Sequence, residues 1–274
     1  MDTKAEIRKL LAPYLERSEE AINRTLSEYE GSIFYEPLKF AVSGGKRIRP
    51  ALLYLSAEVA PQFHADPDPA AVCVELIHVA SLIHDDLIDR DSVRRGRESF
   101  YVKYGLEKTI LISDFILSIV LKLSSLYDDR EVSRSLARAT RLMSEGELQE
   151  TLVLREGTKI SLDRYLDILY KKTAVLFEES MRIGALIVKS EDTIIRLLSR
   201  IGMLTGLAYQ IKDDLHDWGH KGEISKLLDV SNARETLTDK LKELVNEAKS
   251  LVGKLPSCSS TDKISSLLNF ILVW

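Results

Sequence analysis

The sequence predicts an all-α protein. Apolar residues recur at three- and four-residue spacing through most of the chain, and no stretch sustains a period of two. The few glycines and prolines fall where helices would start or stop. In chain order, 4–29 reads as an amphipathic helix, Pro50 suits a helix start, and Asp68-Pro69 reads as an N-cap followed by proline in the first turn. Segments 130–150 and 223–252 are amphipathic. In 161–177 the residues Leu162, Tyr165, Leu166, Leu169, Thr173 (by its methyl), Leu176 and Phe177 keep helical spacing. Two segments, 70–89 and 194–217, are apolar on nearly every face, which places them inside a bundle.

Composition narrows the function classes. The chain has 274 residues, 45% hydrophobic and 29% charged, a globular balance near the upper size for one core. A net charge of -4, with basic residues spread along the chain, gives no reason to expect nucleic acid. Cys73 and Cys258 lie far apart and form no CxxC pair, so buried thiols in a reducing compartment are expected. The N-terminus MDTKAEIRKL is polar and reads as no signal peptide. TILISDFILSIVL and ISSLLNFILVW are interrupted or too short to cross a bilayer, so a soluble cytoplasmic protein is the default. The apolar C-terminal tail is a candidate for packing on a partner subunit.

Both buried helices end in Asp-Asp-x-x-Asp: Asp85, Asp86, Asp89 in one and Asp213, Asp214, Asp217 in the other. Residues four apart share a helical face, so Asp85 and Asp89 point together, as do Asp213 and Asp217. Carboxylates in a last helical turn face the negative end of the dipole, at about 0.3–1 kcal/mol each, and they repel one another. One such cluster could be a solvated helix end; two, each closing an apolar helix, suggest a hard divalent cation. Mg²⁺ takes oxygen ligands and is typically held by carboxylates together with substrate phosphate. Arg94 and Arg95 follow directly and can grip phosphate bidentately. The stretch SGGKRIRP at 43–50 adds a glycine pair and the cations Lys46, Arg47 and Arg49, suited to a second phosphorylated ligand. His78 lies two helical turns before Asp85 on the same face, either a core histidine or a phosphate donor. Lys172, Thr173 and Gln210 supply further donors.

Together these stretches resemble the trans-isoprenyl diphosphate synthase family. The matches are GGKRIRP (44–50), HDDLID…RRG (84–96), SEGELQE (144–150), YKKTAVLFE (170–178) and YQIKDDLHD (209–217), in the family's order. The resemblance implies a single synthase domain over 1–274, built as about ten or more antiparallel helices around a central cavity and usually dimeric. It implies head-to-tail condensation of isopentenyl diphosphate with an allylic diphosphate. By motif, Asp85, Asp89 and Asp213 would anchor Mg²⁺, with Asp86, Asp214 and Asp217 in support. Arg94, Lys172, Thr173 and Gln210 would hold the allylic diphosphate; Lys46, Arg49, His78 and Arg95 would hold the isopentenyl diphosphate. The chain departs from the family at Ser113-Asp114, where Gly-Asp is usual, and at Tyr101, often a histidine. The segment WGHKGEISKLLD is also shorter than its counterpart, leaving Lys221 and Lys226 as candidates for the lysine that reaches the allylic diphosphate.

In the family, residues four and five before the first aspartate line the tunnel of the growing chain. Here they are Ser81 and Ala80, about 6–7.5 Å below Asp85 at helical rise. Small side chains leave the shaft open, with Ile77 or a neighbouring helix as the floor, and a product of C20 or longer is expected. Rival readings are an HD-type metal phosphohydrolase from His84-Asp85, a di-iron bundle from Glu75-x-x-His78, a terpene cyclase, and a non-catalytic subunit of a heteromeric synthase. The first needs ligands from His64, His78, His216 or His220, which have no convincing spacing. The second needs another Glu-x-x-His, which is lacking. A cyclase would not need Lys46 and Arg49, and a non-catalytic subunit would be expected to have lost aspartates.

Overall fold

The computed structural model describes residues 3–218 and 224–273. Lys221 and His220 lie outside the described residues. The helices are α1 (Thr3–Ser27), α2 (Tyr35–Val42), α3 (Ile48–Val59), α4 (Asp68–Asp89), α5 (Phe100–Tyr104), α6 (Leu106–Ser124), α7 (Arg130–Glu156) and α8 (Leu162–Leu169). They continue with α9 (Val175–Ile187), α10 (Asp192–His216), α11 (Ala233–Val252) and α12 (Ser259–Val273). A π-helical turn, Tyr170–Ala174, joins α8 to α9, and a 3₁₀ turn spans Ile224–Leu227. Among the described residues the sheet is one short hairpin, β1 (Val93–Arg94) against β2 (Arg97–Glu98), antiparallel with Val93 opposite Glu98. The all-α expectation holds.

The two apolar segments are α4 and α10, and both are central. Val72, Cys73, Val74, Leu76 and Ile77 of α4 are buried, as are Leu198, Ile201, Leu204, Ala208 and Ile211 of α10. α10 packs chiefly on α9 and α11, and α4 chiefly on α6. A helix apolar all round is stable only when enclosed in this way.

Three local expectations need correction. The helix expected over 223–252 begins at Ala233, because the chain before it is committed elsewhere. The Ile160 amide donates to the Leu227 carbonyl and the Asp229 amide to the Ile160 carbonyl, each at 2.8 Å, docking this loop on the turn before α8. Asp68 is the first residue of α4 and makes no cap, since its carboxylate is taken by Arg17, Arg24 and Tyr54. The described part of the C-terminal tail packs on its own chain: α12 lies on α11, α3 and α1, burying Ile264, Leu267, Leu268 and Ile271. Exposed apolar side chains are most numerous on α6 and α7: Leu106, Ile110, Leu111, Leu117 and Leu121, with Leu148 and Leu152. Among the described residues, no helix is long and apolar enough to cross a membrane.

Candidate active site

The glycine-rich stretch between α2 and α3 forms one wall of a cationic pocket. Gly44, Gly45 and Arg47 all take positive φ, at 76°, 111° and 47°. A side chain at Gly45 would meet guanidinium nitrogens of Arg95 and Arg47 at 3.1 and 3.3 Å, so only glycine lets the backbone approach both. Arg47 is buried and holds the loop in place, pairing with Glu75 of α4 at 2.5 Å and Glu19 of α1 at 2.8 Å. It therefore builds the pocket wall. The cavity behind the loop has a volume of about 140 Å³ and is lined by Lys46, Arg49, Glu75, His78, Arg95 and Tyr209, among others.

The four residues expected to hold isopentenyl diphosphate, Lys46, Arg49, His78 and Arg95, thus face one space. Arg49 Nε is buried without a hydrogen-bond partner, and its guanidinium stacks 4.5 Å from the Phe177 ring. Burial pulls Arg49 below the usual arginine range, against the opposing charge of Glu75. Burial, reinforced by Arg49 and Arg95, holds His78 well below the ordinary imidazole value, so it is neutral at pH 7 and can offer a hydrogen bond without charge. A buried cationic cluster with an orphaned N–H is suited to an anion.

Lys172, carried by the π-helical turn, lies within electrostatic reach of Asp85 and Asp89 of α4 and of Asp214 of α10. The Lys172 ammonium lies 2.8 Å from Glu147 and is also paired with Glu150, both of α7. Burial alone would lower its pKa; Glu150, Asp85 and Glu147 outweigh that and hold it above the usual lysine range. The same ammonium acts on Asp85 and Asp89 from α4 and on Asp214 from α10. Gly146 permits this arrangement, since a Cβ there would sit 2.5 Å from the Lys172 backbone nitrogen. Glu147 and Glu150 lie in the matched stretch SEGELQE, but sequence reasoning gave them no role. Helical spacing alone could have shown that both face the same way.

Within each tip the aspartates differ. Burial pushes the Asp85 carboxyl up to about 8, with Lys172 opposing and Glu147 adding to the rise. Burial pushes Asp213 up to about 6, with Lys46 opposing and Asp214 and Asp217 adding. Asp89 and Asp217 are exposed at the mouth. Asp86 is buried and ion-paired with Arg94, so both are engaged with each other. Asp214 is buried too: Tyr165 donates to its Oδ2 at 2.5 Å and Gln210 to its Oδ1 at 2.8 Å. Thr173 in turn donates to the Gln210 carbonyl oxygen at 3.0 Å. Tyr165 is fully buried, and the sequence marked it only as an apolar position.

This donor set fits a hard divalent cation. Crowded carboxylates whose burial raises their pKa gain most from an oxygen-preferring metal. Among the described residues no three acidic, histidine or cysteine groups are already gathered as a metal site. The HD reading finds no histidine cluster among the described residues either: His64 is exposed, and His216 is exposed and contacts Asp217 at 3.0 Å. Lys226 is exposed on the 3₁₀ turn and is not among the residues lining these cavities.

Below Asp85 a cavity of about 510 Å³ runs between α4, α6 and α7. Ile77, Ala80 and Ser81 line it, with Ile116, Val120 and Met143 from the other helices. Asp85, Glu147 and Lys172 stand in the same wall, so the apolar space opens directly beneath the charged groups. Ser113 and Asp114 also line it.

Residues 31–236 match the family described as polyprenyl synthetase. The chain is 31% identical over 270 residues to the geranylgeranyl diphosphate synthase of Methanosarcina mazei, covering 90% of this chain and 83% of that one. It is 32% identical over 245 residues to the geranylfarnesyl diphosphate synthase of the same organism, covering 84% and 82%. The crystal structure of a geranyltranstransferase from Methanosarcina mazei superposes with a TM-score of 0.79 at 31% identity, covering 94% of this chain and 96% of that one.

Proposed function

The chain belongs to the polyprenyl synthetase family, the trans-isoprenyl diphosphate synthases, and on that premise we propose that it condenses isopentenyl diphosphate head-to-tail with an allylic prenyl diphosphate. The product is an all-trans prenyl diphosphate of C20 or longer. The observation that carries this reading is that Asp85, Glu147 and Lys172 stand in the wall of an apolar cavity, while Lys46, Arg49, His78 and Arg95 line a separate cationic pocket.

In this reading the allylic C–O bond breaks and diphosphate leaves with the electron pair. The isopentenyl double bond attacks the resulting carbocation to form the new C–C bond, and a proton is lost. Diphosphate is a poor leaving group unless its growing charge is neutralised. Lys172 and Arg94 supply fixed positive charge there, with Thr173 and Gln210 as polar contacts. Asp85, Asp89, Asp213 and Asp217 would hold Mg²⁺, which when bound supplies further neutralisation. Lys46, Arg49 and Arg95 hold the second diphosphate by charge, and neutral His78 by hydrogen bonding. The apolar walls of α4, α6 and α7 keep water from the cation.

The chain forms one synthase domain over 1–274 and acts in the cytoplasm. It pairs as a homodimer through the apolar face of α6 and α7, a patch of a kind that soluble monomers seldom expose. The test is incubation with Mg²⁺, labelled isopentenyl diphosphate and a series of allylic primers, followed by chromatography of the dephosphorylated products. Mg²⁺-dependent incorporation into C20 or longer alcohols is expected. Absence of incorporation with every primer would favour a non-catalytic subunit.

A further inference from the structure

From the contacts around Asp214 we infer that Tyr165 is a positioning residue, holding Asp214 as an anchor for the allylic site and away from the metal. This rests on the reading above and assigns two residues within it. Four side chains from three elements form a directed chain. The Tyr165 hydroxyl of α8 donates to Asp214 Oδ2 at 2.5 Å, and Gln210 Nε2 of α10 donates to Asp214 Oδ1 at 2.8 Å. Thr173 Oγ1, on the π-helical turn, donates to Gln210 Oε1 at 3.0 Å.

The chain runs one way because its end is a carboxylate, which accepts only. With Asp214 accepting, the Gln210 amide must turn its NH₂ toward it and its oxygen toward Thr173. Two residues expected on the allylic diphosphate thereby have their orientation set from Asp214. Each Asp214 oxygen already accepts a protein donor, and the residue is buried, whereas Asp213 is only half-buried and Asp217 is exposed. The second tip therefore offers two carboxylates to metal, and the third works inside the protein.

Tyr165 is the fixed point. It is fully buried on α8, a helix capped by Ser161, whose hydroxyl accepts from the Arg164 amide. Without its hydroxyl, Asp214 Oδ2 would be buried and unpaired, and the carboxylate would turn toward the positive charge of Lys172. Gln210 and Thr173 would lose their fixed orientation with it.

The test uses the full chain with Tyr165→Phe, which removes one oxygen and keeps the ring. KM for the allylic substrate should rise about tenfold while KM for isopentenyl diphosphate stays within about twofold, the effect of losing one charged hydrogen bond. A merely structural role would not separate the two substrates. Asp214→Asn and Asp213→Asn are compared alongside for the Mg²⁺ concentration giving half-maximal activity. Asp213→Asn should raise it severalfold and Asp214→Asn should leave it at the wild-type value. An unchanged allylic KM in Tyr165→Phe, or a Mg²⁺ requirement raised equally by both asparagine variants, would overturn the inference. Affinity for inorganic diphosphate with Mg²⁺, measured by calorimetry, repeats the comparison without turnover. An inactive wild type would defeat the condensation reading, and weaker diphosphate binding by Tyr165→Phe would still uphold this one.

Discussion

The Lys172 ammonium stands 2.8 Å from the Glu147 carboxylate, and Glu150 holds it from the same helix. An allylic diphosphate must draw the ammonium from these glutamates, so the resting pair sets how readily the charge can be redirected. Replacing Lys172 by alanine removes a cation that acts on aspartates of both acidic tips. We expect kcat/KM for the allylic substrate to fall about 10²–10³-fold, as for loss of a preorganised electrostatic donor. Steady-state kinetics with the primer varied at saturating isopentenyl diphosphate would check it.

Gly146 explains why Lys172 can sit there. In Gly146→Ala the new methyl would lie 2.5 Å from the Lys172 backbone nitrogen and 2.8 Å from Lys171 Cβ. Overpacking of this kind costs about 1–3 kcal/mol. Denaturant unfolding should show that loss, together with reduced activity from a displaced π-helical turn.

Asp85 is placed for function at the expense of stability. Its folded pKa of about 8 lies above the reference 3.8, so between these values the native state binds more protons than the unfolded chain. Its contribution to stability is therefore fully present below pH 3.8 and is lost as pH rises toward 8. Asp85→Asn should stabilise the metal-free protein at pH 8 by about 1–2 kcal/mol while abolishing turnover. Unfolding in chelator at pH 6 and pH 8 reads both the gain and the flattened pH slope.

His78 titrates in the opposite sense. Burial and the neighbouring arginines depress its pKa, so the unfolded chain binds more protons below about 6.5. Stability is present above that value and falls as pH drops through it, and His78→Gln should remove this part of the acid sensitivity. Because His78 is neutral, the same variant should change KM for isopentenyl diphosphate at pH 7.5 by less than about threefold, whereas Arg49→Gln should raise it at least about tenfold. Initial rates with isopentenyl diphosphate varied distinguish the two.

Ala80 and Ile77 line the cavity below Asp85 at successive depths. Ala80→Phe should cut the shaft about 7.5 Å below Asp85 and shorten the products. Ile77→Ala should let them lengthen. Unchanged chain lengths in both, by chromatography of the labelled alcohols, would remove the tunnel assignment.

Much of this was legible in the amino-acid order. Helical periodicity marked the elements, and full apolarity marked α4 and α10 as central. The paired Asp-Asp-x-x-Asp tips, with Arg94 and Arg95 beyond one of them, pointed to metal and diphosphate before any coordinates. These are local signals, carried by residues a turn or two apart.

What the tertiary structure alone decided is which distant side chains meet. It put Tyr165 on Asp214 across 49 positions of chain, set Lys172 between the glutamates of α7, and turned Asp68 from a cap into a partner for two arginines. It also folded the C-terminal tail onto its own chain and left one apolar face of α6 exposed. Periodicity tells which face of a helix is apolar, but the enclosing neighbours choose the partner of each polar group buried there, since such a group must be paired wherever the packing places it.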